Sequence, residues 1–436
     1  MTRPPGNCWH LLDPPVAGKW QADQTVSVVI PARNSQVKLD RALIALAAQT
    51  YPHEQLEIMV VDDGSNPPLQ IRVDVGEVKI RMIRQDSDGR FGAGRARNRG
   101  ARESKGTLLL FLDSDIVVAP DLIYRYARWL SISDEAVVTG ILGFVDFTNF
   151  STDQLRAEIG AGTLTSTLNA LSAVNQQWRE DHFKRSHDLT EDSDNLFSVV
   201  VGASLGVSRA LFEEVHGFRE LGVRGIEDIE LGYRLHVAGG LLIADRLANQ
   251  WHQSSQYFLS SRNRESAKKI REPFIERLIP VSGFRSYPAT GVRQVPSLLV
   301  EIENGSQEEV DRTERSFAET EMRDVVFRTD KSSDDARFRN VESIDPIDLS
   351  GIPFRMSVKP GVILNELACG SILQSLRETG AGVVYFLDED STQIAVAYRQ
   401  RAVASSLRRN GVSDLNDAGK NFGARWLPAK DCGISR

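Results

Sequence analysis

The tripeptide Asp113-Ser114-Asp115 stands directly behind the apolar run Leu108–Leu112 and offers two carboxylates one residue apart at a predicted strand end. So placed, both reach a single divalent cation; carboxylate oxygen suits Mg²⁺ or Mn²⁺ and leaves coordination positions for diphosphate oxygens. A solvated turn, where Asp is common, is the other reading. Asp62-Asp63-Gly64-Ser65 closes a second apolar run. A carboxylate there can accept from the N3–H of uracil, or the segment is an ordinary Asp-Gly turn. Arg97, inside Gly94–Gly100, either supplies positive charge to a nucleotide or lies on a solvated helix face. Glu227 and Asp228 stand together at a predicted helix start. They complement the helix dipole, or one of them is a general base. His252, in Trp251-His252-Gln253, is a structural histidine or completes a metal shell begun by the Asp pair.

The elements that must position these groups follow from the apolar patterning. Val26–Ile30, Leu56–Val61, Val78–Ile83 and Thr107–Leu112 read as strands, with helices predicted over Leu39–Thr50 and Arg95–Ser104. That alternation implies a right-handed, mainly parallel α/β sheet, in which ligands bind beyond the carboxyl ends of the strands. The clusters Pro31–Asn34, Asp62–Ser65 and Asp113–Asp115 all fall at such ends, so three loops converge on one rim. A short strand is expected at Leu241–Ala244, and the polar stretch 179–195 reads as a mobile loop.

In order and placement these segments resemble glycosyltransferase family 2 domains, of GT-A fold. The pattern is similar to the catalytic domains of polypeptide N-acetylgalactosaminyltransferases and chondroitin-type polymerases. Seven segments over residues 25–253 carry the resemblance: 26–34, 60–65, 95–100, 111–115, 202–209, 225–235 and 251–253. It implies an enzyme that moves a sugar from a nucleotide-sugar donor, a UDP-sugar, to an acceptor hydroxyl by metal-dependent, inverting displacement. It implies nucleotide contacts at Pro31, Asn34, Asp63, Arg97 and Asp113, a Mn²⁺ or Mg²⁺ site at Asp113, Asp115 and His252, and catalysis by Asp228 with Glu227 beside it. Arg33 stands where the family often has an aromatic residue, Ala203-Ser204 where Gly-Gly-Asn is common, and the Gln-x-x-Arg-Trp motif of processive synthases is absent. The alternatives are a nucleotide-sugar-binding regulatory protein, or a retaining transferase acting on a peptide or small molecule. A nucleotidyltransferase would need a Gly-rich basic loop after the first strand, where Pro31-Ala32-Arg33-Asn34 stands.

The 436 residues suggest an irregular leader over 1–24, a catalytic domain over 25–284 and a smaller C-terminal α/β unit over 285–436. In that last unit Val295–Asn304 can be laid on Thr25–Asn34, and Val383–Asp390 on Leu108–Asp115, so a degenerate second copy is expected, against chance likeness of α/β strands. Its strands at Leu298–Ile302 and Val383–Leu387 should then lie side by side, and the unit could mediate homodimerisation. A formal net charge of −7 argues against a general nucleic-acid binder. Three scattered cysteines form neither a disulfide framework nor a zinc pattern and fit a reducing cytoplasm. No apolar run approaches the roughly 20 residues of a membrane span, and no signal-peptide stretch opens the chain.

Overall fold

The computed structural model describes residues 6–86, 89, 92–172, 177–191, 193–253, 261–285, 293–322, 324–329, 339–378, 380–410 and 415–436. In the first unit the strands are β1 (Val26–Ala32), β2 (Leu56–Asp63), β3 (Lys79–Gln85), β4 (Leu108–Leu112), β5 (Ile116–Val118), β6 (Ala136–Val145), β7 (Ser204–Ser208) and β8 (Leu241–Gln253). They form one sheet in the order β3-β2-β1-β4-β7-β6-β8-β5. β3, β2, β1 and β4 are mutually parallel, and β7 enters antiparallel between β4 and β6. β1 shows why the sheet is covered on both sides. Val28 and Ile30 face one hydrophobic core, and Val29, between them, faces the other.

Helices close both faces. α1 (Gln36–Ala47) buries Leu39, Leu43, Ile44 and Leu46 on the first core. α2 (Ala93–Glu103) lies on the opposite face at Gly100, where a Cβ would sit only 2.4 Å from Val29 Cγ1; the missing side chain is what lets helix and strand approach. α3 (Leu122–Leu130), α4 (Thr152–Ala161) and α5 (Leu164–Leu171) extend the first core. α6 (Gln177–Arg185), α7 (Arg209–Glu214), α8 (Glu227–Val237) and α9 (Ser261–Leu278) complete the unit.

Two local expectations are corrected. The first part of the stretch read as a mobile loop, 179–185, belongs to α6, because Arg179 and Phe183, four residues apart, are both buried on one helix face. Arg179 donates from Nη2 to Thr139 Oγ1 at 2.7 Å. The strand expected to end at Ala244 runs on to Gln253, pairing with β6 through a register shift between Thr139 and Ile141. The described residues before β1 hold one short 3₁₀ turn, Trp9–Leu11, and are docked, with Asn7 Nδ2 donating to the carbonyls of Leu189 and Leu242. Among the described residues no helix is long and apolar enough to cross a membrane.

The second unit contains β9 (Leu298–Ile302), β10 (Val325–Arg328), β11 (Arg339–Asn340), β12 (Phe354–Val358), β13 (Ile363–Leu364), β14 (Val383–Leu387), β15 (Gln393–Arg399), β16 (Ala424–Pro428) and β17 (Ile434–Ser435). Its helices are α10 (Gln307–Glu319), α11 (Pro346–Leu349), α12 (Ala368–Glu378), α13 (Gln400–Asn410) and α14 (Leu415–Phe422). The sheet order is β11-β10-β9-β12-β15-β14-β16. Strand for strand this repeats β3-β2-β1-β4-β7-β6-β8, with the same parallel or antiparallel sense at every pair. A separate β13–β17 antiparallel pair stands where β5 meets β8 in the first unit.

This topology overturns one expectation. β9 and β14 are not neighbours, since β12 and β15 lie between them. The place of β4, beside the first strand, is held by β12. Leu298 pairs with Phe354 as Val28 pairs with Leu110. Counting onward, Ser357 and Lys359 occupy the positions of Asp113 and Asp115. Asp388, laid on Asp113 by sequence, instead organises the β14–β15 turn, accepting from the amides of Asp390 and Thr392 at 3.1 and 2.8 Å.

Candidate active site

The carboxyl ends of β1, β2 and β4 open into one cleft of about 960 Å³, and all nine residues singled out in the sequence line it: Pro31, Asn34, Asp63, Arg97, Asp113, Asp115, Glu227, Asp228 and His252. Asp115 and His252 meet through strand pairing. β5, immediately after Asp115, runs antiparallel to β8 with Ile116 opposite His252, and the Gln253 amide donates to the Asp115 carbonyl at 2.9 Å. The His252 ring stacks on Phe144 at 5.3 Å, which fixes its plane. One ligand atom each from Asp113, Asp115 and His252 lies within 4.8 Å of the other two. Two carboxylate oxygens and an imidazole nitrogen fit Mn²⁺ or Mg²⁺, with the other coordination positions free for donor oxygens.

Asp115 Oδ2 also has two neighbours of its own, Lys38 Nζ at 3.1 Å and His252 Nδ1 at 3.4 Å. The histidine contact lacks hydrogen-bond geometry, and Nδ1 is otherwise buried without a partner. Burial alone would raise the Asp115 carboxyl, but His252 and Lys38 outweigh it and hold it below the usual range. Burial likewise pulls His252 down, while Asp115, with a smaller contribution from Asp113, carries it above its ordinary value.

Arg97 is the hub of the other half. Its side chain is 3% exposed; Nη2 donates to Asp113 Oδ1 at 2.7 Å and Nη1 to Asp228 Oδ1 at 2.9 Å, with Glu227 Oε1 at 3.8 Å. The guanidinium rests over the Phe218 ring at 5.1 Å. Burial works against its charge, yet Asp228, Asp113 and Glu227 together raise its affinity for the proton, so it stays a cation. Gly202 makes this junction possible, since a Cβ there would stand 2.5 Å from both Arg97 Cζ and Asp228 Oδ1.

The two acids at the start of α8 differ. Glu227 turns Oε2 back onto the amides of Gly225 and Ile226, at 2.6 and 2.9 Å. Burial, and the Asp228 charge beside it, raise its carboxyl above the ordinary range. Asp228 is 21% exposed and opens to the cleft. At the end of β2, Asp63 Oδ1 accepts from Gln85 at 2.7 Å and from Arg95 at 3.3 Å, while Asp62 is spent internally on Ser65, Leu69 and Arg84. Asn34, at φ 50°, accepts from the Asn66 amide on its side chain and donates its own amide to Ser65 Oγ, so it ties two rim loops together.

Sequence reasoning passed over three contributors. Lys38, one turn into α1, carries a charge that an amphipathic helix normally gives to solvent. Gly202 was visible only as part of a motif. Arg95, two residues before Arg97 on α2, pairs with Asp63 at 3.3 Å.

α8 is in turn held from below. Glu230 and Arg234 form a buried pair at 2.6 Å, Arg219 joins Glu230 at 3.1 Å, and Arg219 Nη2 lies 2.8 Å from Asp348 of the second unit. Tyr233 donates its hydroxyl to the Gly351 carbonyl at 2.6 Å. Asp348 is buried enough that desolvation raises its carboxyl despite Arg219. Asp348→Ala leaves Arg219 with one buried acid instead of two, and is expected to lower the unfolding free energy by about 3 kcal/mol. Urea denaturation reads it, and a change under about 0.5 kcal/mol would mean the seam between the units contributes nothing here.

Residues 27–206 match the family model described as Glycosyl transferase family 2, and the fold of that unit is GT-A. The chain is 28% identical over 268 residues to the chondroitin synthase of Pasteurella multocida (strain Pm70), covering 58% of this chain and 27% of that protein. It is 29% identical over 252 residues to the validoxylamine A glucosyltransferase of Streptomyces hygroscopicus subsp. limoneus, covering 55% of this chain and 54% of the relative. The chain thus spans about a quarter to a half of the length of these relatives. Among solved structures, S. aureus TarS 1-349 in complex with UDP-GlcNAc aligns with a TM-score of 0.39 at 15% identity, covering 58% of this chain and 67% of that one.

Proposed function

We propose that this chain, whose residues 27–206 form a family 2 glycosyltransferase domain, transfers a sugar from a UDP-sugar to an acceptor hydroxyl. The observation that carries the reading is the joining of two chemistries in one cleft: a cation-competent Asp113–Asp115–His252 set, and an Arg97 bridge from Asp113 to the half-buried, cleft-facing carboxylate of Asp228. Asp63 and Pro31 bracket the uracil, with Arg33, Arg224 and Arg271 adding positive charge to the cleft wall. A divalent cation held by Asp113, Asp115 and His252 would neutralise charge developing on the departing diphosphate. Arg97 adds a fixed positive charge next to that position. Asp228 accepts the proton of the acceptor hydroxyl as it attacks the anomeric carbon, giving inversion. Glu227, bonded to the Gly225 and Ile226 amides just ahead of α8, orients the helix start.

The second unit is proposed to be a degenerate copy that braces α8 and does not transfer sugar. Ser357 and Lys359 stand where ligation would need acids, and among the described residues the only candidate metal cluster is the one in the first unit.

The reading is tested by incubating the chain with a panel of nucleotide sugars and following UDP release in Mn²⁺, with and without EDTA. Release from at least one UDP-sugar that EDTA abolishes is expected, and that donor should add about 2.7 kcal/mol of stability at 100 times its dissociation constant. Absence of release and of stabilisation across the whole panel would sink the proposal.

A further inference from the structure

Each acid of the Asp113–Asp115 pair is met by a cation of the chain itself, and the two cations differ in kind. Arg97, on Asp113, is almost fully buried and pinned by Asp228, Glu227 and the Phe218 ring. Lys38, on Asp115, projects from α1 at the rim of the cleft with its side chain 39% exposed. Its ammonium ends a flexible four-carbon stem, whereas the guanidinium of Arg97 is a rigid fork. The atom that Lys38 holds, Oδ2 of Asp115, is also the one that His252 approaches. An ammonium and a divalent cation cannot share that oxygen closely, because their like charges repel at contact distance.

We propose that Lys38 is a tethered counter-ion of the cation site: it neutralises Asp115 before the donor arrives, and moves to the donor diphosphate when a metal takes the carboxylate. This rests on the glycosyltransferase reading above. It makes metal and donor bind cooperatively, since the metal alone must displace Lys38 into water, whereas metal plus diphosphate gives the ammonium a new anionic partner. Gln253 holds the backbone at this point, donating from Nε2 to the Lys38 carbonyl at 2.9 Å, so the stem pivots from a fixed base.

The test measures Mn²⁺ affinity by electron paramagnetic resonance, with and without UDP, in the full-length chain and in Lys38→Met, which keeps the stem and removes the charge. In Lys38→Met, Mn²⁺ alone should bind about tenfold tighter, while UDP in saturating Mn²⁺ should bind about tenfold more weakly. The opposite signs matter, because a merely structural loss would weaken both. Lys38→Arg, which keeps the charge, should keep Mn²⁺ alone as weak as in the parent chain. If the parent chain binds Mn²⁺ in the presence of UDP but Lys38→Met shows neither change, this inference falls and the metal site stands. If neither protein binds Mn²⁺ with or without UDP, both fall together.

Discussion

Asp228→Asn is expected to keep UDP affinity and to lose about 10²–10⁴-fold in turnover, the usual contribution of a positioned general base. The substitution is isosteric, and the amide oxygen can still accept the 2.9 Å bond from Arg97, so the local structure has little reason to move. What disappears is the basic carboxylate in the cleft. Glu227 cannot take over, because its Oε2 is already bound by the Gly225 and Ile226 amides and its other oxygen sits 3.8 Å from Arg97. Glu227→Gln should therefore cost stability at the helix start more than rate. The comparison is made by steady-state transfer assays on both variants, with UDP binding followed by calorimetry. A Glu227→Gln rate far below that of Asp228→Asn would reverse the two roles.

The parts of this site that were legible in the sequence are those in which a short polar cluster follows an apolar run. Val26–Ile30 and Leu108–Leu112 are buried on both faces, so their composition has no polar alternation to confuse with a helix, and the acids behind them fall at the rim by topology alone. What was not legible depends on pairings distant in sequence. β8 becomes polar after Ala244, and only its pairing with β6 and β5 carries the strand on to His252. Polar content hid α6, because Arg179 is buried by bonds to Thr139 and to the Val199 and Gly140 carbonyls, which no local pattern announces. In the second unit, the Phe386-Leu387-Asp388 likeness drew the eye to β14, since an acid closing an apolar strand is common to α/β sheets. The strand in the position of β4 is β12, and replacement of its acids by Ser357 and Lys359 removed the signal that would have marked it.

Asp115→Ala should abolish Mn²⁺-stimulated turnover, a loss on the order of 10³-fold or more if the cation supplies several kcal/mol of charge stabilisation. The fold should survive. Asp115 contributes no side-chain contact to either core of the first unit, its Lys38 partner is partly exposed and can return to water, and the main-chain bond from Gln253 to the Asp115 carbonyl does not depend on the side chain. The stability change should therefore stay within about 1 kcal/mol. UDP binding measured in EDTA should not weaken, because the proposed uracil contacts come from β1 and β2, on strands that Asp115 does not hold, and Lys38 is freed for the diphosphate. Nucleotide affinity, metal dependence and fold thus separate in one variant. Full Mn²⁺-dependent activity in Asp115→Ala would remove Asp113–Asp115–His252 as the cation site. Loss of UDP affinity in EDTA would instead show that the acid shapes the nucleotide pocket itself, and that the two halves of the cleft are not independent.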